Sequence, residues 1–428
     1  MDPWLHLAAR KHPERIAIEA PERSLTYRTL ERLAVGGVAA LQARGVRPGD
    51  RVALELEDRV DFLVALHACL LLGAPAVPID LRLTDPERAA RRRGATVVLE
   101  PLSSAVGRPA PTAEPTADDV ATIMHTSGTT AEPKPVQLSY GNWLANALGS
   151  AVALGLDPGE RWLCPMPLTH VGGLSIPIRS AVYATTAVLH PRFETEAVLR
   201  ELSDPERRIT LVSLVPTMLA RLLDAGLREP PTLRWALLGG GPIPPTLLQR
   251  ARGAGVPTAS TYGMTEACSQ IATLGWPLPG VEVRISEGEV LVRGSVVAAS
   301  ALSDDGWLHT GDLGSFDDRG RLRITGRGSE TIISGGENVA PAEVEATLLE
   351  HPAVADAGVF GRADPEWGEA VVAVVVLHAG ANTTAEEVRT FCSERLTGFK
   401  VPKLVAFAPE LPRTASGKLL RHRLGGLV

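Results

Sequence analysis

The stretch from Arg51 to Asp80 reads strand, helix, strand with almost no chain spent on the connections, and this alternation most constrains the fold. Arg51-Val52-Ala53-Leu54-Glu55-Leu56 is a short apolar run, Val60 to Leu72 carries the helical period, Gly73-Ala74-Pro75 breaks it, and Ala76-Val77-Pro78-Ile79-Asp80 is a second short run. Parallel strands joined by helical crossovers must be covered on both faces, so the pattern predicts a buried, mainly parallel sheet in an α/β protein. The grammar recurs. Leu30, Leu33, Val38 and Leu41 line a helix that Gly45 and Pro48-Gly49-Asp50 stop. Further along, Ile209 to Leu214 is strand-like, Pro216 to Leu223 helical and Arg234 to Leu238 strand-like.

With 428 residues the chain exceeds what one core serves. From Gly280 the pattern changes to short β segments, Val281 to Ile285, Glu289 to Arg293 and Arg321 to Ile324, which predicts a small antiparallel or barrel-like unit. Gly326-Arg327-Gly328-Ser329 makes a glycine-flanked joint. We place a boundary there, giving a large domain over 1–327 and a small α+β domain over 328–428. The latter holds a helix from Pro341 to Leu349 and the β-branched run Ala370 to Val376.

A net charge of −6 with no basic domain argues against nucleic acid as a partner. Arg91-Arg92-Arg93 is read as a solvated helix face. The four cysteines are far apart in sequence and lack zinc spacing, and no apolar run is long enough to span a bilayer. The expectation is a reduced, cytoplasmic protein without stable membrane insertion, with a homodimer left open.

Five clusters carry chemistry. Thr126-Ser127-Gly128-Thr129-Thr130, ending in Lys134, follows an apolar run and offers hydroxyls, a glycine and a cation, as a polyphosphate cradle or a polar turn. Gly239-Gly240-Gly241 closes a strand, as a ligand edge or a tight turn. Tyr262, Gly263, Thr265 and Glu266 together supply an aromatic face, a hydroxyl and a carboxylate, which a nucleotide with Mg2+ requires. Asp312 with Arg327 is either a grip on a ribose diol or a structural pair. Finally, Lys418 sits in the small-residue loop Leu411 to Arg421.

In their order and spacing the Thr126-to-Lys134 loop, Tyr262 to Glu266, Gly306 to Asp312, Gly335 to Glu345 and Pro412 to Lys418 resemble the adenylate-forming superfamily of acyl-CoA synthetases, adenylation domains and luciferases. The resemblance covers essentially the whole chain, including Gly335-Gly336-Glu337-Asn338-Val339-Ala340-Pro341. It implies activation of a carboxylic acid by ATP to an acyl-adenylate with release of pyrophosphate, then transfer to coenzyme A. By resemblance Lys418 bridges carboxylate and phosphate, Glu266 holds magnesium, Asp312 and Arg327 hold the ribose, and Tyr262 the adenine. It further implies a mobile small domain, pivoting at Ser329, that exchanges Lys418 for the loop at Gly335 and Gly336. The chain departs from the family at Ser329, where Asp or Lys is usual, and at Ala131 and Pro135, where glycines are usual.

The segment Pro165 to Ser175, continuing through Arg179 to Tyr183, resembles the o-succinylbenzoate–CoA ligases of menaquinone biosynthesis, whose compact length it shares. Their dicarboxylate substrate implies a pocket with an additional cation or hydroxyls. His170, Arg179, Ser213 and Thr217 are candidates, though Arg179 alternatively faces solvent and the two hydroxyls alternatively cap or pack. Competing readings are an aryl or medium-chain acyl-CoA ligase, an amino-acid-adenylating enzyme, for which an aspartate near Leu214 is lacking, and a non-catalytic nucleotide- or acyl-binding homologue.

Overall fold

The computed structural model describes residues 4–102, 114–126, 134–365, 367–414, 417 and 419–428. Two parallel-rich sheets form the large domain. In the nine-stranded sheet, six neighbouring strands run parallel: Thr258–Met264, Trp235–Leu238, Leu211–Leu214, Arg161–Cys164, Thr186–Leu189 and Ile16–Glu19. The five-stranded sheet runs Thr96–Val98, Val52–Leu54, Ala76–Pro78, Val120–Thr126, Lys134–Ser139, parallel except for its last, edge strand.

The helix Arg59–Leu72 shows why the sheets stack. Asp58 caps its start by accepting from the Asp61 amide, and Gly73, at φ 77°, ends it in the left-handed region that costs glycine least. Its residues are buried on nearly every side, from Val60 and Phe62 to Leu72, as expected of a helix between two layers. Against it packs Tyr27–Ala43, where a Cβ on Gly37 would come within 2.7 Å of Ala68 Cβ. That glycine is dictated by helix approach.

The predicted β unit is a four-stranded antiparallel meander, Val281–Ser286, Glu289–Gly294, Leu308–Phe316 and Leu322–Arg327. The smaller C-terminal domain has its own five-stranded sheet, with Gly368–Leu377 flanked by Val354–Asp364 and Leu404–Phe407. The helices Pro341–Leu348 and Ala385–Ser393 bury Val344, Leu348, Val388 and Cys392 in its core. The joint predicted at Gly326 to Ser329 is the end of a strand followed by the 3-10 turn Gly328–Glu330.

Three local readings differ. Arg92 is half-buried and pairs with the buried Glu55 at 3.1 Å, so the arginine run is only partly a solvated face. Val256 to Ala259 reads as strand-like in the sequence, with a turn after it, whereas the strand itself spans Thr258–Met264 and so runs on through Tyr262. A register shift between Tyr262 and Gly263 lets it persist past the glycine. Ile209 and Thr210 precede their strand, which spans Leu211–Leu214. No helix is long and apolar enough to cross a membrane among the described residues, and all four cysteines are buried free thiols.

Candidate active site

The carboxyl ends of the parallel strands build the site, as open α/β sheets dictate. The strand Trp235–Leu238 runs into Gly239-Gly240-Gly241. A Cβ on Gly239 would meet Thr261 Cγ2 at 2.7 Å, and Gly240 sits at φ +80°, so the first two glycines are required by the neighbouring strand and the turn itself. Gly241 faces open space. Beside them Val215 precedes the helix Pro216–Asp224, with Thr217 in its first turn.

The small domain reaches this edge. A Cβ on Gly417 would lie 3.2 Å from Val215 Cγ2 and 3.3 Å from Thr217 Oγ1. Gly417 therefore lies against the large domain at the strand ends. Lys418, the next residue, is outside the described residues, as are Ser127, Gly128, Thr129 and Thr130. Their flanks are described: Thr126 pairs with Lys134 across antiparallel strands, so the hydroxyl-rich loop is clasped at its base. Pro135 falls on the edge strand, where a missing N–H is tolerated.

One end of the site is built around a carboxylate. Asp312 stands opposite Arg327 in the meander; Arg327 Nε donates to Oδ1 at 2.8 Å and the Tyr262 hydroxyl donates to Oδ2 at 2.8 Å. A carboxylate has about four acceptor positions, so two remain for a ribose diol. Burial opposes the Arg327 charge, but Asp312 outweighs it and its pKa ends above the ordinary value. Burial, then the Asp312 charge, push the Tyr262 phenol far up, and it remains a donor.

The strand then turns through Thr265–Ala267, which exposes part of Thr265 and Glu266. Cys268 at φ 51° and Ser269 at φ 96° are non-glycine residues in the left-handed region and bend the chain back at once. Gly263 is fixed by this hairpin, since a Cβ there would strike Ser269 O at 1.6 Å. Glu266 carries no ion pair among the described residues, and no cluster of three metal-ligating side chains exists there. A single carboxylate suits Mg2+ that takes its other oxygens from phosphates and water.

A second cluster is built around a buried cation. Arg179, 1% exposed in the helix Val171–Tyr183, does not face solvent. One guanidinium nitrogen donates to Asn146 Oδ1 at 2.5 Å, its carbon lies 5.4 Å from the Trp162 ring centroid, and its Nε has no partner. No carboxylate pairs with it among the described residues, and burial pulls its pKa down. Ser213 is buried and accepts from Trp162 Nε1 at 3.0 Å, so it orients the ring under Arg179. His170 precedes the helix; burial lowers its pKa against the pull of Asp80.

Asn146, Trp162 and Gln270 escaped the sequence reading. Asn146 also donates to the Gln270 backbone carbonyl at 3.0 Å, tying Arg179 to the hairpin that presents Glu266. A signal existed: Asn142 and Asn146, one helical turn apart, interrupt a largely apolar helix. Gly335 and Gly336, at φ 63° and 82°, form an exposed hairpin whose neighbour is Trp367 of the same domain, away from the nucleotide cluster in sequence and in contacts.

The Asp312–Arg327–Tyr262 cluster, a buried arginine without a carboxylate partner among the described residues, and Gly417 of the small domain against Val215 and Thr217 are the features on which similarity to known proteins bears. The chain belongs to the AMP-binding enzyme family: that model matches residues 5–99 and 92–300, and the AMP-binding enzyme C-terminal domain matches 343–418. It is 40% identical to the 2-succinylbenzoate–CoA ligase of Bacillus licheniformis, over 98% of both chains. It is also similar to the o-succinylbenzoate CoA synthetase (MenE) of Bacillus subtilis. The complex of that enzyme with the acyl-adenylate intermediate OSB-AMP gives 38% identity and a TM-score of 0.92 over 99% of this chain and 98% of that one. Its complex with ATP and magnesium ion gives 0.91 over 99% of each. A double mutant bound to the product analogue OSB-NCoA gives 0.73 at the same identity, over 99% and 98%.

Proposed function

We propose that this chain activates o-succinylbenzoate with ATP, forming an acyl-adenylate and pyrophosphate, and then transfers the acyl group to coenzyme A with release of AMP. The observation that carries the choice of acid is Arg179. A guanidinium taken fully from water without a counter-ion is costly, and a second substrate carboxylate would supply that counter-ion. A fatty or simple aryl acid, with one carboxylate committed to reaction, would leave the cation unpaired. Asn146 accepts from Arg179, and Trp162, oriented by Ser213, lies against it; we assign Thr217 and His170 to the acid pocket as further contacts.

The first half-reaction needs the attacking carboxylate and the α-phosphate held together although both are anions. In our reading Lys418 screens them, Asp312 and Arg327 fix the ribose, Tyr262 meets the adenine, and Thr265 donates to phosphate. The glycine edge and the loop at Thr126 to Lys134 receive the rest of the nucleotide. Glu266 would hold magnesium, which supplies charge stabilisation to departing pyrophosphate.

We take the domains to divide at 327/328 and the small one to pivot at Ser329. Gly417 against Thr217, and the greater likeness to the acyl-adenylate complex than to the product-analogue complex, favour the acid-activating arrangement for this structure. Rotation would remove Lys418 and bring up Gly335 and Gly336 for the thiol. We place the enzyme in the cytoplasm on its reduced cysteines.

The test is product analysis with ATP, magnesium, coenzyme A and a panel of acids. AMP, pyrophosphate and thioester formed with o-succinylbenzoate, and far less with benzoate or octanoate, support the proposal. Equal turnover of the monoacids would remove Arg179 from selection, and adenylate without thioester would point to another acceptor.

A further inference from the structure

The loop bearing Lys418 is held at its neck by an unusual brace. Pro412 O accepts from the Leu420 amide at 2.8 Å, Arg413 and Leu419 form an isolated antiparallel bridge, and Gly417 N donates to Thr414 O at 2.8 Å. The two legs are pinned by apolar packing. Leu411 and Leu424 are buried with Leu419 against them, and a Cβ on Gly358 would meet Leu424 Cδ1 at 3.0 Å and Leu419 Cδ2 at 3.2 Å. Apolar contact fixes the legs but not the orientation of the peptide plane at Gly417.

A charged group does that. Arg413 sends one nitrogen to the Gly417 carbonyl at 2.9 Å and the other to both Asp356 oxygens at 2.8 Å. Asp356 lies at a register shift in the strand Val354–Asp364, where a bulge re-aims a side chain, and it also accepts from the Ala357 amide. Both partners are about 30% exposed, so the pair is partly desolvated. The Gly417 carbonyl belongs to the peptide bond that begins Lys418.

We propose that Arg413 is a positioning residue for the first half-reaction: its guanidinium, held by Asp356, fixes the Gly417 carbonyl and with it the direction in which the chain enters Lys418. The planar fork serves a carboxylate and a carbonyl at once, and a lysine ammonium at that position would not span both. The inference rests on the reading of Lys418 given above. Because the second half-reaction does not use Lys418, Arg413 matters to one chemical step and not to the other.

Two assays on the full-length enzyme separate these steps. Acid-dependent exchange of labelled pyrophosphate into ATP reads adenylation, and single-turnover thioester formation from supplied acyl-adenylate and coenzyme A reads transfer. Arg413→Met should lower the exchange kcat about 100-fold with little change in the KM for ATP, and leave transfer within about twofold. Arg413→Lys should recover only part of the exchange. A loss of both half-reactions together, or of neither, in variants with parental melting temperature overturns the inference. Should Arg413→Met not fold, Asp356→Asn carries the same comparison with a smaller change. Lys418→Ala runs alongside. Full exchange in that variant sinks the lysine reading itself, whereas its loss there with full exchange in Arg413→Met sinks this inference alone.

Discussion

Asp312 and Arg327 face each other across the antiparallel ladder, with the arginine Nε 2.8 Å from the carboxylate, and Arg327 is the last residue before the 3-10 turn Gly328–Glu330. The residue that closes the proposed ribose grip is thus also the residue next to the proposed pivot. Nucleotide occupancy and domain orientation would share one side chain.

From this pair, Asp312→Asn should raise the KM for ATP by about 10- to 100-fold, because the amide loses charge-assisted bonds to Arg327 and to a ribose. Tyr262→Phe, which removes one hydrogen bond to the same carboxylate and keeps the ring, should cost about tenfold or less. Steady-state kinetics with ATP varied decides this.

Arg179→Met should separate specificity from stability. Removing a buried charge that lacks a counter-ion among the described residues should leave the melting temperature unchanged or raise it, while kcat/KM for o-succinylbenzoate falls about 100-fold. Thermal melting and acid-varied kinetics on one preparation check both halves.

The glycines at the site are not equivalent. Gly263→Ala drives a Cβ to 1.6 Å from Ser269 O and should cost more than about 3 kcal/mol or refold the hairpin, whereas Gly241→Ala enters open space and should cost about 1 kcal/mol or less. Denaturant titration distinguishes them.

Acid should destabilise the protein through buried imidazoles. Burial lowers the pKa of His67 and of His125 to about 4. The unfolded chain therefore binds protons that the folded one refuses as the pH falls below about 6.5. Stability is full above that value and is lost as the pH drops toward 4. His67→Leu should flatten the decline by about 2 kcal/mol between pH 7 and 4, read from melting curves across pH.

Much of this was legible because local rules and the fold agree. The alternation around Arg59–Leu72 and Pro216–Asp224 places the strands, and the motifs singled out from the sequence put Asp312 beside Arg327, while the bond from Tyr262 to Asp312 was not foreseen. The side-chain environments were not legible. Nothing in the helix Val171–Tyr183 says whether Arg179 faces water, since only the packing of Trp162 and Asn146 decides it. Arg92 with Glu55, and Arg413 with Asp356, join residues far apart in sequence, where charge alone names no partner. The hydroxyl-rich loop and Lys418 remain proposals on their flanks, Thr126 opposite Lys134 and Gly417 against Thr217.

The central claim is that one carboxylate of a dicarboxylate is activated while Arg179 holds the other. Pyrophosphate exchange into ATP, measured with o-succinylbenzoate and with the matched ketone acid lacking the ring carboxylate, tests it most directly. The account predicts rapid exchange with the first and at least about 100-fold less with the second, a difference that Arg179→Met abolishes. Equal exchange with both acids in the unmodified enzyme would contradict it.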